Sequence, residues 1–183
     1  YNYRWSKNAN SAIIITVSPE DYGDKSLDGI KFQRKLEEKA YQLGDGKIPI
    51  QTLKDFHNNV EKNNLGNIIP IFKGNYNYAN LNELLPTEIS IALKEAFINF
   101  DKKIKGFNND DTILAGIESR TSSPVKIIRD DNFESNIKGI YPCGEGAGYA
   151  GGITTSAVDG LKVAESIIKK YKFKGGKNNA WWL

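Results

Sequence analysis

Apolar residues recur at spacings of three and four along three stretches of the chain. Phe32, Leu36, Ala40 and Leu43 keep a helical period, and Gly44 stands where a helix would stop. Ile89, Ala92, Leu93, Ala96, Phe97, Phe100 and Ile104 trace a longer stripe, with Pro86 suited to the first helical position and Gly106 as a stop. Ala157, Leu161, Ala164 and Ile168 share one face of a third helix over residues 153–170. A shorter helix holds Leu53, Phe56 and Val60. Elsewhere the pattern changes to strand-like runs. Residues 11–18 have a β-branched centre and stop at Pro19, which predicts a buried strand. Residues 112–118, 125–129 and 139–143 read as further short strands, and residues 63–80, rich in Asn, Gly and aromatics, as a long irregular connection. The organisation is a mainly helical block, residues 28–106, between strand-bearing segments.

Composition narrows the function classes. In 183 residues, 39% are apolar and 26% charged, ordinary for a globular protein. A net charge of +3 and a pI near 8.8 are too weak to argue for nucleic acid, which wants a concentrated basic face. No apolar run reaches membrane-spanning length, and the start carries no secretory pattern. One cysteine, Cys143, permits no internal disulfide, which fits a cytoplasmic location. The chain opens on Tyr1 and contains no Met, as a piece of a longer or processed protein would.

The chemistry concentrates where residues 139–143 run into GEGAGYAGG. A strand, a glycine loop and a helix together present amides to an anionic or carbonyl ligand. Gly146, Gly148 and Gly151 spell GxGxxG, but the opening fingerprint of a dinucleotide fold needs a following strand with an acid for ribose. Here a basic tail follows, and Glu165, at roughly the right offset, lies within the helix. Glu145 suits another role. A carboxylate beside a helix N-terminus can accept hydrogen bonds from sugar-alcohol hydroxyls, while glycines let amides approach a flat ring where a Cβ would intrude.

At this point the sequence resembles a known family. The runs GIESRTSSPVKIIRD and SNIKGIYPCGEGAGYAGGITTSAVDGLKVAESI, with YRWSKNANSAIIITVSPEDYG and FQRKLEEKAYQLG more faintly, are similar to the C-terminal portion of bacterial FAD-dependent, or NAD-utilising, dehydrogenases. More distantly they resemble two-motif flavoproteins of the glutathione-reductase type. The resemblance implies a mixed α+β or α/β chain: a mainly helical cap or substrate domain, then a strand–loop–helix piece of a Rossmann-like FAD-binding domain. It divides the chain into a cap or substrate domain over residues 1–110 with a helical insert at 28–106, an FAD-completing segment at 111–170, and a tail at 171–183. It implies FAD as cofactor, a nicotinamide cofactor, NAD or NADP, as a candidate second one, a small-molecule substrate, and an N-terminal FAD-binding segment of the same protein as partner. Carried over by position, Gly144, Glu145 and Gly146 lie along the ribityl chain. Ala147 and Gly148 continue the loop, and Tyr149, Ala150, Gly151, Gly152 and Ile153 bring amides to the flavin carbonyls.

Plainer readings stand beside these. The glycines can serve packing alone, which would make the chain a non-catalytic helical binding module. Arg120, Thr121, Ser122 and Ser123 form either a polar turn or a substrate-side patch in which Arg120 meets an anion. Cys143 reads as a small buried apolar residue, His57 as exposed and inert, and the scarcity of His and Cys argues against zinc. The tail, with Lys, Trp181 and Trp182, could touch nucleic acid by charge and stacking, although a solvated helix end fits it better. No catalytic acid or base is singled out.

Overall fold

The computed structural model describes Trp5 and residues 7–171, which form two compact units, the first ending at Ser119 and the second beginning at Arg120. The expectations for the tail beyond Tyr171, including Trp181 and Trp182, lie outside the described residues.

In the first unit a one-turn helix α1 (Pro19–Tyr22) precedes α2 (Asp28–Leu43). Strand β1 (Ile48–Thr52) leads directly into α3 (Leu53–Asn58). Strand β2 (Tyr76–Tyr78), a single turn α4 (Leu81–Leu84), the long α5 (Thr87–Lys103) and strand β3 (Ile113–Ala115) complete the unit. The sheet order is β2-β1-β3. β2 runs parallel to β1, with Ile48 opposite Tyr76, and β3 runs antiparallel, with Ile50 opposite Ala115.

Thr52 joins β1 to α3 by acting as helix cap. Its Oγ1 accepts from the Asp55 amide at 3.2 Å and donates to the Asp55 carboxylate at 2.8 Å. The turn thus formed delivers Leu53 and Phe56 into a core with Ala40, Leu81, Leu84 and Phe97. Gln51 is as buried as the apolar residues, and its amide is fully used. It donates to the Val60 carbonyl at 2.8 Å and accepts from the Leu81 amide at 2.9 Å. Gly116 follows β3 in tight quarters, since a Cβ there would lie 3.0 Å from Leu84 Cδ2 and 3.3 Å from Leu81 Cδ2.

The second unit contains α6 (Ile153–Lys170), an isolated bridge between Arg129 and Ser135, and loops. Its buried apolar side chains among the described residues are Ala147 and Val163. No helix among the described residues is long and apolar enough to cross a membrane.

The mixed α and β content agrees with the sequence reading, and α2, α5 and α6 occupy the stretches their periodicity predicts. Several expectations are corrected. Residues 11–18 form no strand: they pair with no strand among the described residues, and Ile13 packs on the core while Ile14 is exposed. Residues 125–129 and 139–143 form no strands either, so the glycine loop is entered from irregular backbone. Block 28–106 carries β1 and β2 and is less purely helical than its periodicity implies. On α5 the inward side holds Ser90, Leu93 and Phe97, while Ala92 and Phe100 are exposed. The stripe Ala157, Leu161, Ala164 and Ile168 on α6, expected to be buried, faces outward. Cys143 is exposed, and His57 is half-buried with Nε2 2.9 Å from Asn108 Oδ1.

Phe56, 1% exposed, lies at the centre of the first unit's core. Phe56→Ala should therefore cost about 3–5 kcal/mol in urea unfolding of the chain. Ile91→Ala, on the exposed side of α5, should stay within roughly 0.5 kcal/mol. Equal midpoints for the two variants would remove Phe56 from the core.

Candidate functional site

The glycine loop and the Arg120 turn both fall in the second unit, and side-chain hydrogen bonds bring them together. The Ser123 hydroxyl lies 2.8 Å from the Val125 carbonyl and 3.2 Å from the Gly146 carbonyl. The Ile127 amide donates to the Ala147 carbonyl at 3.1 Å, and the Tyr149 hydroxyl donates to the Ile127 carbonyl at 3.0 Å. Residues 123–127 therefore run alongside the loop and fix its path. Arg120, Thr121 and Ser122 are exposed beside it, with Ser122 Oγ 4.0 Å from where a Cβ on Gly151 would be.

Two loop glycines differ in what their surroundings demand. Gly148 has φ +81°, and a Cβ would sit 2.5 Å from the Val125 carbonyl oxygen, so close backbone packing explains it. Gly146 has no atom within 4 Å of its Cβ position, so packing does not explain it.

The amides of the loop divide in the same way. Gly144 donates to Asp159 Oδ2 at 2.9 Å, Gly148 to the Glu145 carbonyl, Tyr149 to the Gly144 carbonyl and Gly152 to Thr155 Oγ1 at 3.1 Å. Ala150, Gly151 and the first-turn residues Ile153 and Thr154 of α6 donate to no acceptor among the described residues. Of the five amides from Tyr149 to Ile153 that the sequence reading aims at a ligand, those of Tyr149 and Gly152 serve the loop's own structure. The Glu145 side chain is half-buried and makes no hydrogen bond or ion pair among the described residues. Beneath Gly144, whose Cβ would lie 3.7 Å from that of Ser156, the buried Ser156 hydroxyl also lacks a partner.

Sequence reasoning missed the pair that anchors all of this. Arg129 meets Asp159 of α6 through two nitrogens, at 2.6 and 3.0 Å, and Nη1 also donates to the Pro142 carbonyl at 2.7 Å. The guanidinium lies over the Tyr149 ring, 3.5 Å from its centroid, and 4.7 Å from that of Phe133. The Arg129 bonds, helped by the Gly144 amide and opposed by desolvation, hold the Asp159 carboxyl down at about 2. The same pairing raises Arg129 above its ordinary value. An Arg followed thirty residues later by an Asp carries no sequence signal.

In the first unit an open groove of about 510 Å³ runs between the end of α2 and β1, lined by Glu37, Tyr41, Lys47, Asn75 and Ile117 among others. Glu37 is held there by the Ser119 hydroxyl at 2.8 Å.

A family model described as "FAD-dependent protein, C-terminal domain-like" matches residues 1–121. An uncharacterized protein of Clostridium beijerinckii is 51% identical over 93% of this chain. The chain spans about a third of that relative's length, 33%.

Because Asp159 titrates lower folded than its ordinary 3.8, its pairing stabilises the fold fully above about pH 4 and progressively less as pH falls towards 2. In acid titrations followed by thermal melting, Asp159→Asn should lose that part of the pH dependence. An unchanged acid limb would exclude the pair as its source.

Proposed function

The chain belongs to the family described as FAD-dependent protein, C-terminal domain-like, and from that premise we propose that it is part of a flavin-dependent oxidoreductase. In this reading residues 144–153 bind the ribityl and flavin side of FAD, and an N-terminal segment of the same protein binds the pyrophosphate. The observation that carries it is the coincidence of three unmet groups: the Glu145 carboxylate, the Ser156 hydroxyl, and the amides of Ala150, Gly151 and Ile153. The half-buried Glu145 carboxylate and the buried Ser156 hydroxyl would ordinarily find partners, the amides of Gly151 and Ile153 lie exposed at the helix start, and a polyhydroxy chain ending in a ring with carbonyls supplies partners of both kinds. The unobstructed Gly146 leaves space for such a ligand.

FAD bound here would supply hydride transfer at its N5 position. The chain's own residues would do the positioning. Glu145 would accept hydrogen bonds from ribityl hydroxyls, and Gly151 and Ile153 would donate to pyrimidine carbonyls, where the helix N-terminus favours negative charge. Arg120 would offer a cation to an anionic small-molecule substrate, with Thr121, Ser122 and Ser123 as polar neighbours. NAD or NADP would be the alternative hydride partner.

In the full-length protein, Glu145→Ala should weaken FAD retention by roughly one to two orders of magnitude, the worth of a charge-assisted hydrogen bond of about 1.5–3 kcal/mol. Flavin content after gel filtration, with near-native melting, is the measurement, and full retention would exclude Glu145 from the site. The 183-residue chain alone, lacking any pyrophosphate motif, should purify colourless with excess FAD. A stoichiometric yellow complex would overturn the divided site.

A further inference from the structure

Helix α6 carries two complete rows of residues, and the polar one is turned inward. Ser156, Asp159, Val163, Ser166 and Lys170 follow one another at spacings of three and four. Asp159 pairs with Arg129, Val163 is buried, the Ser166 hydroxyl donates to the Asn132 carbonyl at 2.8 Å, and Lys170 pairs with Glu134. The opposite row, Ile153, Ala157, Leu161, Ala164 and Ile168, is exposed along its whole length, with Ile153 at 95%, Leu161 at 66% and Ile168 at 69%. A soluble helix ordinarily buries its apolar row. With Ala147 and Val163 as the unit's buried apolar side chains, its described residues enclose almost no core of their own.

We propose that the row Ile153, Ala157, Leu161, Ala164 and Ile168 docks onto an apolar face within the rest of the full-length polypeptide, the portion that supplies the pyrophosphate half of the FAD site. The identity of that portion rests on the functional reading above; the bare row does not. Three observations select this occupant over a second copy of the chain. The Clostridium beijerinckii relative carries two thirds of its length outside the match, so a covalently linked surface is at hand. An 18-residue helix is about 27 Å long, and a single row on it offers far less than the roughly 800 Å² per partner that free-standing complexes bury. A tethered partner needs no such area, because linkage supplies an effective concentration in the millimolar range. Finally, Ile153 is both the most exposed residue of the row and the first residue of α6, directly after the glycine loop, so a surface laid on the row continues over the loop. Ala157 between Ile153 and Leu161, and Ala164 between Leu161 and Ile168, leave hollows for the opposing side chains.

The test is thiol labelling of the full-length protein in a Cys143→Ser background, with single cysteines at Leu161→Cys, Ala164→Cys and, off the row, Lys162→Cys. Ala164→Cys is nearly isosteric, so it reports even if Leu161→Cys unfolds. Both row positions should react roughly tenfold or more slowly than Lys162→Cys, with the difference abolished in denaturant. Equal native rates would overturn the proposal. Protection that disappears on dilution would mean a second copy and would also overturn it. Protection that survives dilution in a protein that never takes up flavin would uphold the docking while refuting the functional reading, so the two can fail separately.

Discussion

Arg129 and Asp159 form a two-point pairing that ties α6 to the entry of the glycine loop. The planar guanidinium suits a carboxylate geometrically as well as electrically, so the pair fixes direction and not only distance. Asp159 spends a second interaction on the Gly144 amide, and Arg129 spends one on the Pro142 carbonyl. The entry to the glycine loop is thereby clamped from both strands of backbone that reach it. Tyr149, lying under the guanidinium with its hydroxyl on the Ile127 carbonyl, carries the constraint to the loop's middle. A loop with five glycines would otherwise be among the least ordered parts of the chain. Polar pinning replaces the apolar core that this unit scarcely has.

The first unit is built the other way. Its interior is apolar, and of its buried polar residues Gln51, Thr52, Asp55 and Asn80 are hydrogen-bonded, while the Ser90 hydroxyl of α5 has no partner among the described residues. The bonded residues serve to turn the chain: Thr52 and Asp55 start α3, and Gln51 with Asn80 positions the turn into α4. This network rigidifies one end of the sheet and leaves the groove beside α2 at the other.

Helices were legible in the sequence because their signal is long. The stripes on α2, α5 and α6 repeat over about three to four turns, and Gly44 and Gly152 lie at helix ends. Strands were not. Ile48–Thr52 is short, holds Pro49, and buries Gln51 and Thr52, so neither apolar alternation nor composition marks it. Residues 11–18 have the right composition and no partner strand, which composition cannot report. The glycine loop was readable as a ligand-facing candidate from its residue types. Which of its amides remain free was not, because that depends on Thr155, Asp159 and the backbone of residues 144–148 in three dimensions. For α6 the period was right and the facing wrong. Hydropathy assigns the apolar row to the interior, whereas the Arg129 and Glu134 pairings orient the helix.

The position of β1 between its two neighbours has a kinetic side. Ile48 meets Tyr76 and Ile50 meets Ala115, so each edge of the strand waits on a partner from a distant part of the chain. No tight hairpin can seed this sheet. Local order can grow in α2 and α5 within microseconds, but β1 gains hydrogen-bonded company only after two large loops have closed. Topology alone therefore places the sheet after the helices, and the α3 residues Leu53 and Phe56 would meanwhile have Ala40 and Phe97 of the helices to pack against.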